Sequence, residues 1–395
     1  MKHAFALAAV LGLILGASSS SSAATAKPAN YDTFGIGLLQ RLASAQPADN
    51  VFISPVSIGV ALAMVADGAA GSTRSGMLHT LGLASSDVSG ANAALIAALH
   101  ANGDAKIGLA NAIWLRSDIP PSPKYVSLLK TRYGAQTQAV DFASPQAAAT
   151  INAWVKANTL GLIDHLIDRT SPIDFAYLTN ALAFQAKWSS PFKPNVTLPH
   201  PFTNSDGSSV SVSMMQQTAN FLTLKGDGYD LVRMPYGDGG FAAYVLLPKA
   251  NTTTALLQHL TAATFDNDVK ALKSEHIALS LPRFTIKYRA GLIPPLAAMG
   301  MSTAFSDSAN FSPMHAPPPN LRISSVEHAT YLRVDEDGTT AAAATSVGMT
   351  LMSMHVEKPP RAIVVDHPFV FALRDEHTGT LLFIGAIRKL DNVSP

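Results

Sequence analysis

Val334-Asp-Glu-Asp-Gly-Thr-Thr-Ala-Ala-Ala-Ala-Thr-Ser-Val-Gly-Met-Thr-Leu-Met-Ser-Met-His-Val356 lies close to the end of the chain and governs how the rest is read. Three acids, Asp335, Glu336 and Asp337, precede eight residues, Gly338 to Thr345, none larger than threonine, and no proline follows until Pro359. Local propensity favours a short helix here, with Thr339 or Thr340 capping the Ala341–Ala344 run. A strand is the alternative, because small side chains are what a segment needs if its inward face must fit beneath something already packed. With a period of two, Thr339, Ala341, Ala343 and Thr345 share one face, and that face is uniformly small.

The chain has 395 residues, 48% of them hydrophobic, enough for one large domain or two ordinary ones. Its net charge is +1 and only 14% of residues are charged, so no basic field points to nucleic acid or to a heparin-like polyanion. Met1-Lys2-His3, an apolar run from Ala4 to Gly16, a serine tract and Ala23-Ala-Thr-Ala26 have the order of a secretory signal peptide, cut after Ala24 or Ala26. The apolar run is too short to span a bilayer. No cysteine occurs, which excludes disulfides, thiol catalysis and Cys-based zinc sites. Nor is there a Gly-x-Ser-x-Gly elbow or a His-Glu-x-x-His pair, and the Asp335–Asp337 run lacks calcium-loop spacing. Nothing calls for a catalytic centre, a metal or another cofactor.

Periodicity predicts a helix over Tyr31–Ala45 and a second, apolar nearly all round and therefore buried, from Ser54-Pro55 to about Asp67. Gly68 to Arg74 reads as a turn; Arg74 stands where a phosphate loop needs lysine. Strands are expected at Ile107–Leu115, Thr137–Phe142 and Ala176–Trp188, the last apolar on both faces as a central strand is. Helices are expected over Ser122–Tyr133 and from Ser144-Pro145 through Val155. Hairpins follow between Pro201 and Leu247 around Asp206-Gly207 and Asp238-Gly239-Gly240, then helices near Thr254–Leu260 and Phe265–Leu272. Ile277–Ile286 is expected as one strand at an edge or bulge, because it contains Pro282. Leu321–Val334 is a strand feeding into the small-residue run, and Ala362–Leu373 with Thr380–Ile387 forms a closing hairpin around Gly379. Helices early and strands late make this an α+β fold without repeats or a clear linker.

The run Glu336, Gly338, Thr339, Ala341, Ala342, Ala343, Ala344, Thr345 resembles the reactive-loop hinge of the serpins, the serine protease inhibitors. Four further segments resemble serpin motifs in serpin order: Asn50–Met64, Asn152-Ala-Trp-Val155 through Gly161, Asn180-Ala-Leu-Ala-Phe-Gln-Ala-Lys-Trp188 and Asp366-His-Pro-Phe-Val-Phe371. The resemblance implies a serpin fold of three β-sheets and about eight or nine helices over 27–395, with a reactive-centre loop at about 336–358.

By family position, Ser54, Ser57, Asn180 and His328 fall at the shutter, where the main sheet parts; on its own, His328 reads as an ordinary buried histidine. Trp188, Arg283 and Glu336 fall at the breach, where the loop enters, with Arg283 and Glu336 as its ion pair. Glu327, before the shutter histidine, departs from the family's apolar preference and is expected to face solvent.

Counting seventeen residues from Glu336, the family's usual spacing, puts the reactive bond at Met352–Ser353, an antitrypsin-like Met-Ser bait; Leu351, Met354 and Met349 are alternatives. The implied protein is a secreted, bacterial-type, monomeric suicide inhibitor, not an enzyme. Its partners are serine proteases of elastase, chymotrypsin or subtilisin type, and neither nucleic acid nor membrane. The small, proline-free hinge favours inhibition over the alternative of a binding or chaperone serpin.

Overall fold

The computed structural model describes residues 26–84, 86–101, 105–250, 252–339 and 359–392. Its helices begin where the sequence supplies caps. After α1 (Asp32–Ala45), α2 (Pro55–Asp67) starts at Ser54, whose Oγ accepts from the Ser57 amide at 3.1 Å, with Pro55 in the first turn where its missing donor is harmless. All of α2 but Asp67 is buried. Gly59 lets it approach the Tyr31 ring, since a Cβ there would lie 2.3 Å from ring carbon. α3 (Gly71–Leu81) takes Gly71–Arg74 as its first turn, so the expected turn is shorter, ending at Ala70. α4 (Val88–His100) is capped by Asp87. α5 (Pro123–Leu128), continuing as a π-helical turn to Tyr133, α6 (Ala147–Asn158), α7 (Thr254–His259), α8 (Ala262–Ala271) and α9 (Ile293–Leu296) complete the helices named here.

The strands are β1 (Val51–Ile53), β2 (Lys106–Arg116), β3 (Gln136–Val140), β4 (Ala176–Lys187), β5 (Leu198–Thr203), β6 (Ser209–Lys225), β7 (Tyr229–Tyr236) and β8 (Phe241–Pro248). They continue with β9 (Lys273–Pro282), β10 (Phe284–Gly291), β11 (Ser325–Val334), β12 (Gly338–Thr339), β13 (Arg361–Val364), β14 (Phe369–Asp375) and β15 (Leu381–Ile387). Six form one sheet in the order β10-β11-β12-β4-β2-β3. The rest form one hydrogen-bonded network spliced by β6, which pairs with β5 and β9 along most of its length and with β7 only at Leu222–Lys225. Divided at that splice, the network gives β5-β6-β9-β13 and β1-β15-β14-β8-β7-β6, so the fold is α+β with three sheets.

Two sequence expectations are corrected. Ile277–Ile286 is not one strand: β9 ends at Pro282, Arg283 donates its amide to Ser213 O at 2.8 Å, and β10 continues in the other sheet. The buried positions shift phase here, from Ile277, Leu279 and Leu281 to Phe284, Ile286 and Tyr288, a slip that marks the break at Pro282-Arg283. Nor is Ala362–Leu373 one arm of the closing hairpin: β13 runs parallel to β9, and β14 alone pairs with β15.

β4 is central, between β11 and β2, and buried almost throughout. One face of its sheet, with Leu178, Leu182 and Phe184, joins the main core beside α2. The other, with Tyr177 and Ala181, packs with Trp114, Phe142 and the α6 residues Ile151 and Val155 into a second, smaller core.

Candidate functional site

The seam between β11 and β4 is the distinctive feature of the six-stranded sheet. From Ser325 opposite Tyr177 to Tyr331 opposite Ala183 the two strands pair in parallel. Above Tyr331 they are separated by β12, antiparallel to both: Val334 faces Thr339, which in turn faces Ala186, and Gly338 faces Lys187. The chain leaves β11, turns back through Asp335–Asp337 and starts a new strand inside the sheet. The turn is closed by Asp335 N–H donating to Gly338 O at 2.9 Å and Gly338 N–H to Asp335 O at 3.3 Å.

Glycine is required at 338. Its φ is +150°, and a Cβ would stand 2.2 Å from Ala186 O and 2.7 Å from Lys187 Cα. Thr339 is fully buried, and its hydroxyl shares a 2.7 Å hydrogen bond with Tyr236 Oη. The Tyr236 ring lies stacked on Trp188, centroids 4.2 Å apart. Trp188 ties the turn from above: its Nε1–H donates to Asp335 O and its amide to Asp337 O, both at 2.9 Å. The small-residue run therefore enters as strand, not helix, as far as Thr339.

Arg283 and Glu336, paired in the sequence reading, meet in a two-pronged contact: Nη2 to Oε1 at 2.5 Å and Nε to Oε2 at 3.1 Å. Thr197 Oγ1 donates to the same carboxylate at 2.7 Å, and Phe192 N–H donates to Glu336 O at 2.9 Å. Burial alone would raise the Glu336 pKa, but Arg283 and Thr197 outweigh it and hold the carboxyl below its usual range. Asp335 shifts the other way: burial raises it more than Arg333, 3.2 Å away, lowers it.

Lower on the seam, His328 and Asn180 are register partners across β11 and β4, and Asn111 on β2 is the next partner in the row. Ser54 N–H donates to His328 Nε2 at 3.2 Å, so Nε2 is the accepting nitrogen and the proton sits on Nδ1, which donates to Asn180 Oδ1 at 2.5 Å. Asn180 Nδ2 in turn donates to Glu327 O at 3.1 Å, giving the seam a second side-chain crossing. Burial pushes the His328 pKa down to about 3, so the ring is neutral. Ser57 Oγ donates to Asn111 Oδ1 at 3.4 Å, and Asn111 Nδ2 is buried with no acceptor among the described residues.

Ser54, Ser57, Asn180 and His328 are thus brought together, as are Trp188, Arg283 and Glu336 with Gly338 and Thr339. The two groups are linked by β4, which carries Asn180 and ends one residue before Trp188, about 25 Å further along the chain direction. Asn111 was missed, although an asparagine inside the apolar run Ile107–Leu115 was itself a signal. Glu327 does not simply face solvent: it is half-buried, accepts from Ser325 Oγ at 2.5 Å, and burial raises its pKa. Ala341, Ala342, Ala343, Ala344 and Thr345, the reactive bond Met352–Ser353, and Leu351, Met354 and Met349 lie outside the described residues, as does the signal segment to Thr25.

The site is thus a parallel seam with an antiparallel strand begun at one end. The model of the serpin family (serine protease inhibitor) matches residues 29–390, and the chain belongs to that family. It is 33% identical over 362 residues to a serpin-like protein from Thermococcus kodakarensis, covering 90% of this chain and 83% of the relative. Among solved structures, human thyroxine-binding globulin in complex with thyroxine superposes with a TM-score of 0.85 at 27% identity, over 92% of this chain and 98% of that one. Tengpin, a thermophilic serpin in its native state, gives 0.84 at 30%, over 91% and 94%. Family membership supports a general inhibitory role, and it makes the chain a non-catalytic protein.

Proposed function

We propose that this protein is an exported suicide inhibitor of serine proteases with elastase-, chymotrypsin- or subtilisin-like pockets. The protease attacks the Met352 carbonyl, Ser353 leaves as the new amino terminus, and the acyl ester links protease to inhibitor. The freed segment then continues downward from Thr339 between β11 and β4, carrying the protease with it before water can release it. The signal-like N-terminus supports export, and an unbranched apolar bait at Met352 suits a hydrophobic specificity pocket.

The observation that carries this reading is β12. It is already antiparallel to both neighbours, so each further residue exchanges one parallel ladder for two antiparallel ones. Some twelve to fourteen inserted residues at about 1 kcal/mol net per bond gain on the order of 10–20 kcal/mol, which makes the uncut form a kinetic trap. Nothing in Ala341–Thr345 opposes insertion, since these residues include neither proline nor a bulky or charged side chain.

The test is a denaturing gel after mixing with subtilisin, chymotrypsin and elastase, with mass spectrometry of the released peptide. A covalent adduct and a peptide beginning at Ser353 are expected; a fragment starting elsewhere moves the bait, and cleavage without adduct by all three defeats the reading. The likeness to thyroxine-binding globulin keeps a carrier as the second reading. Comparing the melting of intact and loop-cleaved protein separates the two, a large rise on cleavage meaning insertion and none meaning a carrier.

A further inference from the structure

Away from the seam, a cavity of about 370 Å³ opens between the C-terminal end of α1 and α7, with Ala43, Pro47, Leu257 and Arg388 in its wall. That size lies in the range of small-molecule sites. Gln40 fixes one helix to the other, its Nε2 donating to Leu257 O at 2.7 Å and Leu260 O at 2.9 Å, so the wall is formed in advance.

Arg388 is the unusual member. It is 3% exposed, yet every oxygen it holds is neutral: Nε donates to Thr253 Oγ1 at 3.0 Å, and Nη1 to Ala43 O at 3.0 Å and Gln46 O at 2.7 Å. These bonds anchor the end of α1 without neutralising the guanidinium. No carboxylate among the described residues lies within ion-pair distance; exposed Asp49 acts on it only through space, and burial lowers the Arg388 pKa. Of five guanidinium protons, the two on Nη2 have no acceptor among the described residues. A buried charge without a counter-ion is unfavourable, and an anion in the cavity would relieve it.

We propose that this cavity binds a small amphipathic monocarboxylate, with the carboxylate on Arg388 Nη2 and the hydrocarbon body against Ala43, Pro47 and Leu257. One cation balances one negative charge, which disfavours a phosphate dianion, and the apolar wall calls for a hydrocarbon rather than an inorganic ion.

Calorimetric titration of the full chain with octanoate, its neutral isostere octanamide and inorganic phosphate tests this. Octanoate should bind at one equivalent and octanamide at least ~10-fold more weakly. Phosphate should not compete. Because an Arg388 variant could lose the α1 anchor and fail to fold, the site is blocked instead from its exposed rim by Ser44→Trp. That change should weaken octanoate at least ~10-fold while leaving the melting temperature in place. No octanoate binding, equal binding of octanamide, competition by phosphate, or an affinity unmoved in Ser44→Trp would each overturn the proposal.

Discussion

The upper and lower ends of the β11–β4 seam are held in opposite ways. At the top a strand has already entered, anchored by an ion pair whose arginine is 44% exposed, by a glycine no other residue can replace, and by main-chain bonds to Trp188. Below, the strands are closed on one another, and what crosses between them is neutral, buried and tied to the start of α2 through Ser54. The top therefore depends first on shape, and the bottom on the hydrogen bonding of a few buried atoms.

The comparison breaks most severely at Gly338 and Thr339. Gly338→Val drives a side chain into Ala186 O, and Thr339→Arg places a charge against the Trp188–Tyr236 stack; either should eject β12. Titration against subtilisin should then show the covalent complex almost abolished and the inhibitor turned over as substrate. An unchanged yield of complex would mean that entry at Thr339 is irrelevant. Next, Asn180→Ala removes both side-chain crossings and leaves His328 Nδ1–H unpaired and buried. The cost is about 1–3 kcal/mol, read as a fall of several degrees in the melting of the intact protein.

The third prediction concerns pH. With the folded His328 pKa near 3 and the free value at 6.5, the unfolded chain takes up a proton first, so the histidine's contribution is intact above 6.5 and declines as pH falls toward 3. The melting deficit of His328→Gln relative to the natural chain should accordingly narrow between pH 7 and pH 4; a constant deficit would contradict a neutral ring on the seam. The smallest effect is expected from Arg283→Ala. Glu336 has a depressed pKa, so its pairing stabilises above the ordinary carboxylate range and is lost as pH falls below it. Because Arg283 is partly exposed, the penalty at pH 7 should be about 1 kcal/mol or less and should shrink as the pH falls below the ordinary carboxylate range, as measured by denaturant unfolding.

What the sequence made legible follows the same division. α2 and β4 could be read because they are buried on all sides and say so in composition, with Ser54-Pro55 marking the cap. Arg283 and Glu336 could be paired only by resemblance, for 53 positions separate them. At Pro282–Phe284 the alternation slips by one residue, a signal read as a bulge and not as a change of sheet; where β13 pairs in parallel with the distant β9, no local pattern carries the information. Asn111 escaped for a related reason: its importance comes from standing in one row with Asn180 and His328, a fact of register. Of the small-residue segment, Gly338 and Thr339 form a strand, where local propensity alone would have made Thr339 a helix cap.

The hairpin of β14 and β15 follows the proposed reactive loop in sequence yet lies inside the fold, β14 between β15 and β8, with every side chain buried except that of Arg374. A cut at the proposed bond would therefore divide the polypeptide without dividing the particle. The C-terminal piece supplies central strands and stays put as a tightly bound peptide, so a nicked molecule should elute from a sizing column with its full mass and come apart only in denaturant.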